Sequence, residues 1–115
     1  MHEFSIVYEL FRSLEDIIDR ERLRSVQRVR LRVGELRQIV PELMTFAFDA
    51  AKEDTRACGA TLELETVSAC FRCTACGTAC SSPESGYTCP HCGSYELSVV
   101  QGKEIEIAAI EGERE

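Results

Sequence analysis

Four cysteines near the C-terminal end of the 115-residue chain have the spacing of a metal site. They form two Cys-x-x-Cys pairs, Cys73/Cys76 and Cys89/Cys92, and each pair is followed directly by a glycine. Two residues between cysteines let both sulfurs point at one ion from a single tight turn, and a following glycine can take a positive φ. Four thiolates make a tetrahedral cage that suits Zn2+ and leaves no open coordination position. The spacing therefore predicts a structural Zn2+ held by these four cysteines.

Three further cysteines lie outside these pairs. Cys70 precedes the first pair and Cys80 follows it, and the sequence leaves both open as alternative ligands or reactive thiols. Cys58, in a turn before a glycine, is interpreted as a small apolar filler. His91 lies between the last two cysteines and is a further alternative ligand, since imidazole also binds zinc.

The chain begins Met1-His2-Glu3, which offers a second and different set of donors. The α-amine, the His2 amide nitrogen and the imidazole Nδ1 can close fused chelate rings, and nitrogen donors in a plane suit Ni2+ or Cu2+. Glu3 can add its amide nitrogen, or its carboxylate as a ligand or as a hydrogen-bond acceptor. Because these donors must be deprotonated, metal binding here would weaken as the pH falls. The alternative is that His2 has no role in metal binding.

Composition argues against several classes of protein. Twenty acidic side chains against thirteen Lys and Arg give a formal net charge of −7, which opposes nucleic-acid binding. The sequence has neither a membrane-spanning apolar run nor a signal peptide, so we expect a cytoplasmic protein with no membrane partner and with reduced cysteines. It also has no nucleophile–base pair and no phosphate-binding glycine loop, so we expect no enzyme.

Apolar periodicity predicts two helices, over 3–20 and from Pro41 to about Asp54. The first helix has an apolar stripe of Phe4, Val7, Tyr8, Phe11, Leu14 and Ile18, which is widened by Ile6, Leu10 and Ile17. The second has another: Leu43, Phe46, Ala47, Ala50 and Ala51. Alternation predicts strands at 27–33, 61–67 and 103–110, and we expect the acidic end from Glu111 to fray beyond the last strand.

The three strands differ in the charge of their polar faces. The first carries Arg28, Arg30 and Arg32, whereas the other two carry glutamates. Opposite charges on neighbouring strands stabilise a sheet by about 0.2–1 kcal/mol per pair, and like charges oppose pairing. We therefore predict that the arginine strand lies between the other two. The alternative is that the arginine row is a binding patch.

These elements predict an α+β fold, with a small three-stranded sheet packed with two helices and an inserted zinc-ribbon module. Residues 1–67 and 101–115 would form the α+β domain, and 68–100 the zinc-ribbon domain. The inserted segment has few large apolar side chains and cannot build a core unaided. Metal ligation would supply its folding free energy, about 10–16 kcal/mol in small zinc peptides.

With these motifs in this order, the chain closely resembles the nickel metallochaperones of the HypA/HybF family, which act in hydrogenase maturation. The similarity begins at Met1-His2-Glu3 and the amphipathic helix that follows. It continues through the segments 32–36 and 40–43, which read Arg-Val-Gly-Glu-Leu and Val-Pro-Glu-Leu. The two cysteine pairs and an isoleucine-rich strand complete it, so that it covers nearly the whole chain.

The resemblance implies an exchangeable Ni2+ at Met1, His2 and Glu3, a structural Zn2+ at the four cysteines, and no catalytic activity. It implies that the protein passes Ni2+ to the large subunit of [NiFe]-hydrogenase together with a nickel-handling GTPase. Some family members also serve urease maturation, and some form homodimers. Two alternatives remain from the residues themselves: a zinc-ribbon module that binds nucleic acid or protein without a nickel role, and a rubredoxin-like electron carrier.

Overall fold

The computed structural model describes residues 2–81 and 88–115, without the side chain of His2. The helices are α1 (His2–Glu21) and α2 (Pro41–Ala51), with a short 3-10 turn at Glu35–Arg37. The strands are β1 (Leu23–Gly34), β2 (Thr61–Val67), β3 (Cys70–Cys73), β4 (Ala79–Ser81), β5 (Leu97–Gln101) and β6 (Ile105–Arg114). They form two three-stranded sheets, with the strand orders β2-β1-β6 and β4-β3-β5. The predicted α+β class is confirmed, whereas β3, β4 and β5 were not predicted.

The chain divides into two compact units. One consists of Met1–Arg32, Ile39–Glu65 and Glu106–Glu115, and it contains both helices. The other consists of Val33–Gln38 and Thr66–Ile105, and it contains the two cysteine pairs. The zinc-ribbon domain proposed for 68–100 stays a prediction.

Helix α1 buries a narrower face than its sequence predicts. Its buried apolar side chains recur every three or four residues: Val7, Leu10, Leu14 and Ile18. Phe4 and Tyr8, which belong to the predicted stripe, are instead 41% and 67% exposed. No helix in the described part of the chain is both long and apolar enough to span a membrane.

Helix α2 packs through a different face from the predicted one. Its buried residues are Met44, Ala47 and Phe48, so that only Ala47 of the predicted stripe is buried. Phe46 is 64% exposed. Both stripes have helical spacing, and contact with α1 decides between them. The Phe48 ring lies against Phe11 of α1, with the ring centroids 5.2 Å apart.

The arginine strand β1 lies at the centre of its sheet, between β2 and β6, as predicted. Arg28 pairs with Glu63 at 2.9 Å on one side and with Glu111 at 3.2 Å on the other. Arg32 bridges the same two strands, with Glu65 on β2 at 3.9 Å and Glu106 on β6 at 2.9 Å. The arginine row is therefore neutralised within the sheet, which argues against the alternative of a basic binding patch.

Strand β6 extends beyond its predicted end. The prediction that the chain frays from Glu111 is wrong, because β6 continues to Arg114. Arg24 near the start of β1 pairs with Glu113, and the backbone N–H of Glu115 donates to the Arg22 carbonyl at 2.9 Å. Strand β1 begins at Leu23, earlier than predicted, and the acidic C-terminal end of the chain pairs with this early part of β1.

Candidate functional site

The first cysteine pair is built by the end of β3 and the turn that follows it. Cys73 is the last residue of β3, and its backbone N–H donates to the Thr78 carbonyl at 2.9 Å. The Gly77 N–H donates to the Cys73 carbonyl at 2.8 Å, which closes the turn around Cys76. Gly77 has φ 78°, a left-handed conformation that side chains disfavour and glycine allows.

The second cysteine pair repeats this geometry. The Cys89 N–H donates to the Ser94 carbonyl and the Gly93 N–H to the Cys89 carbonyl, both at 2.8 Å. Gly93 has φ 75°, close to the value at the first pair. The glycine after each pair therefore takes the positive φ that the sequence predicts.

The two turns bring four sulfurs into one cluster. The Sγ atoms of the two pairs all lie within 4.8 Å of one another. Those of Cys73 and Cys92 are 3.6 Å apart, as are those of Cys76 and Cys89. A tetrahedral Zn2+ with Zn–S bonds of about 2.3 Å places its sulfurs about 3.8 Å apart, so this donor set fits zinc.

The other candidate ligands lie outside this cluster. Cys70, Cys80 and His91 do not belong to the group of four. His91 is exposed within the second turn. Cys58 is also exposed, so the interpretation of Cys58 as a buried apolar filler is wrong.

Two of the four thiols differ in acidity because their surroundings differ. Hydrogen bonding with the Thr78 side chain, and then with its backbone, lowers the pKa of Cys76 to about 6. At Cys92 the Ser94 backbone lowers the pKa, but lost hydration and hydrogen bonding with the other thiols outweigh it and raise the pKa to about 12. Cys76 is therefore the more acidic of these two thiols, and a divalent cation bound to the cluster would favour the thiolate form of its ligands.

At the other candidate site, Met1 and the side chain of His2 lie outside the described residues, whereas Glu3 is described. The Glu3 side chain is 6% exposed, and its Oε2 accepts the backbone N–H of Val40 at 3.0 Å. The Val40 carbonyl in turn accepts the N–H groups of Leu43 and Met44, each at 3.1 Å. Glu3 therefore links the start of α1 to the start of α2. The sequence indicated an acceptor role for Glu3 but not the donor, which is the residue before Pro41.

The whole chain matches one family of known proteins. The model of a family described as hydrogenase/urease nickel incorporation, metallochaperone, HypA, matches residues 1–112. The chain belongs to this family. The HypA match covers the N-terminal donors and both cysteine pairs, and it confirms the resemblance seen in the sequence. The HypA family consists of metallochaperones, so the expectation that the protein is not an enzyme is also confirmed.

Individual HypA relatives are similar over almost their full lengths. The hydrogenase maturation factor HypA of Albidiferax ferrireducens is 35% identical over 113 residues, which is 98% of this chain and 100% of the relative. The protein of the same name from a Roseiflexus species is 39% identical over 114 residues, covering 98% and 93%.

The fold is also that of solved HypA structures. The solution structure of the Ni metallochaperone HypA from Helicobacter pylori matches with a TM-score of 0.75 at 23% identity, covering 98% of each chain. A second HypA solution structure has the same TM-score at 24% identity. At these identities the likeness shows the fold.

Proposed function

We propose that the protein binds Ni2+ at Met1, His2 and Glu3, delivers it during maturation of [NiFe]-hydrogenase, and holds a structural Zn2+ at Cys73, Cys76, Cys89 and Cys92. The observation that carries this proposal is the match of residues 1–112 to a nickel-incorporation family, in a chain that begins with these donors.

The nickel donors would be nitrogen atoms at the start of the chain. The α-amine, the His2 amide and the His2 imidazole can surround Ni2+ in a plane, which this ion accepts more readily than Zn2+ does. The Glu3 carboxylate accepts the Val40 N–H, so we assign it to positioning the helix start and the Glu3 amide nitrogen to the metal. Helix α1 begins at His2, and the N–H groups of a helix start lie outside the helical hydrogen-bond ladder.

The cysteine cluster would retain its ion. Four thiolates fill the coordination sphere of Zn2+, and Cys73 and Cys89 are buried. When bound, the ion supplies cross-links between the two turns, which have few apolar side chains to hold them together. Because disulfides would destroy this donor set, we place the protein in the reducing cytoplasm.

Delivery requires protein partners. We propose a nickel-handling maturation GTPase and the large subunit of [NiFe]-hydrogenase, with urease maturation as a second destination that the family description also names. We also propose a homodimer, which the resemblance implies for some family members.

The test is metal analysis of untagged protein titrated with Ni2+, beside a variant with two residues added before Met1. The same two residues added after Glu115 provide the matched control. We expect about one Ni2+ per chain in the wild type and in the control, and loss of Ni2+ in the N-terminal extension and in His2→Ala. Zinc content should stay at about one per chain in all four proteins. Full nickel binding by the N-terminally extended protein would overturn the proposal.

A further inference from the structure

Two exposed phenylalanine rings are in contact near the starts of α1 and α2. Phe4 belongs to α1 and Phe46 to the first half of α2, and both are exposed. Their ring centroids are 6.5 Å apart and the ring planes are inclined by 81°, so one ring presents its edge to the other. This arrangement is favourable because the edge of an aromatic ring is positive and its face is negative. Since Phe4 directly follows Glu3, the contact adjoins the proposed nickel donors.

Phe46 lies outside the core that holds α2 in place. The buried residues of α2 are Met44, Ala47 and Phe48, and the Phe48 ring packs on Phe11 further along α1. The contact of Phe46 is instead made at the surface. Replacing Phe46 should therefore leave the core side chains in position, and its effect should fall on the first turn of α1.

Two side chains link this first turn to α2. The buried Glu3 carboxylate accepts the Val40 N–H at 3.0 Å, and the Phe4 ring lies against Phe46. Successive residues of an α-helix point about 100° apart around the axis, because the helix has about 3.6 residues per turn. The two contacts therefore act on different sides of the turn. One contact alone would let the turn rotate about it, whereas two fix its rotation.

The first turn depends on such contacts because its backbone is only partly held by the helix. Helix α1 begins at His2, and the first N–H groups of a helix have no acceptor within it. The proposed nickel donors include the amide nitrogens of His2 and Glu3 in this turn. Ni2+ accepts nitrogen donors that lie in one plane. A turn whose rotation is already fixed needs less ordering when it binds the ion, which raises its affinity.

We propose that Phe46 is a positioning residue for nickel, which holds the Phe4 ring and so preorganises the His2 and Glu3 amide nitrogens for planar coordination. This inference rests on the nickel site proposed above. Phe46 acts through Phe4, since a phenyl ring offers no donor atom to the metal. An edge-on aromatic pair contributes a free energy equivalent to about a 2–12-fold change in an equilibrium constant, which sets the size of the expected effect.

The test is calorimetric titration of untagged, full-length protein with Ni2+. Phe46→Ala is compared with wild type, with Phe46→Tyr, which keeps the ring, with Phe4→Ala, and with the double variant that carries both alanines. Arg28→Gln is the matched control, because it removes two ion pairs from the sheet of the same unit and leaves both rings in place. Thermal unfolding of each variant measures how much stability it has lost.

We expect Phe46→Ala and Phe4→Ala each to bind about one Ni2+ per chain, with an affinity about 3–10-fold lower than that of wild type. Phe46→Tyr should restore the wild-type affinity, and Arg28→Gln should keep it even where its stability falls. Because Phe46 acts through Phe4, the double variant should bind nickel no more weakly than Phe4→Ala does.

Three results would overturn the inference. They are wild-type nickel affinity in Phe46→Ala, an equal loss of affinity in Arg28→Gln, and a further loss in the double variant beyond that of Phe4→Ala. The second would make the effect one of general stability, and the third would show that Phe46 acts without Phe4. The nickel site itself is tested separately, because nickel binding that survives two residues added before Met1 overturns that site, whatever affinity Phe46→Ala shows.

Discussion

Replacing Glu3 by glutamine or alanine separates two roles for its side chain, as a nickel ligand or as the acceptor for Val40. The carboxylate is 6% exposed and accepts the Val40 N–H at 3.0 Å. Hydrogen bonds to a charged group contribute about 1.5–3 kcal/mol. Glu3→Ala removes this acceptor, and one kcal/mol lowers the Tm of a small domain by about 4–8 °C. We therefore expect Glu3→Ala to lower the Tm by roughly 6–24 °C.

Glutamine keeps an acceptor oxygen at the same reach and loses only the charge. A charge-assisted bond is roughly twice as strong as a neutral one, so Glu3→Gln should lose about 1 kcal/mol. Its backbone amide is unchanged, and we expect its nickel affinity to fall by less than about tenfold. Glu3→Ala should lose about 10–100-fold, because groups that position metal ligands have effects of this size.

The measurements are calorimetric titration of untagged protein with Ni2+ and thermal unfolding by circular dichroism. Glu9→Gln is the matched control, since Glu9 lies on the same helix and its side chain is 67% exposed. We expect it to match wild type in both assays. Suppose instead that Glu3→Gln loses nickel as completely as His2→Ala while its Tm stays within about 2 °C of wild type. The carboxylate is then a nickel ligand, and the positioning role is refuted.

Three further outcomes are expected. Chelation of zinc should abolish the hydrogen-exchange protection of the Cys73 and Cys89 amides, while the β1 amides stay protected. Retained protection at both cysteines would show that the unit with the cysteine pairs folds without metal. The pKa of Cys76 is about 6 in the folded protein, below its unfolded value of 9.0. Its thiolate therefore stabilises the fold fully above pH 9, and this contribution is lost as the pH falls through about 6. Thr78→Val removes the largest cause of that depression, and it should move the pH of zinc release in an acid titration upward; an unchanged pH would contradict the assignment. Arg28→Gln should lower the free energy of unfolding, measured by urea denaturation at low salt, by about 0.4–2 kcal/mol, because two cross-strand pairs are lost. The control Arg12→Gln, on a helix surface, should lower it by less than about 0.5 kcal/mol.

The order of the strands could be predicted because the charge pattern of each strand is local and is repeated several times along it. Three arginines alternate along one strand, and glutamates alternate along the two strands that must flank it. Any other order of these three strands places two acidic strands side by side, and like charges on neighbouring strands oppose pairing. The cysteine cluster could be predicted for a similar reason, since each pair and its glycine define one turn.

The packing face of α2 could not be predicted, because its sequence is apolar on most of its surface. The stripe through Phe46 and the stripe through Phe48 both have helical spacing, and periodicity alone cannot choose between them. The choice depends on packing against α1, where Phe48 lies 5.2 Å from Phe11 and Phe46 meets Phe4 edge-on at 6.5 Å between ring centroids. No local pattern records these contacts between residues far apart in the sequence. The Val40 partner of Glu3 escaped prediction for the same reason.

Retention and release follow from how each proposed site is held. The cysteine ligands would come from two closed turns, in which backbone hydrogen bonds of 2.9 and 2.8 Å fix Cys73 and Cys89, so a bound zinc would be retained until ligands from both turns had detached. The nickel donors would come from consecutive residues at a chain end, so a receiving protein could take them from the ion one at a time. The hydrogen bond between Glu3 and Val40 would keep the start of α1 folded while the donors leave the ion, because it anchors the helix just after them. A bound nickel would therefore leave without unfolding α1, and the emptied site would be able to bind again.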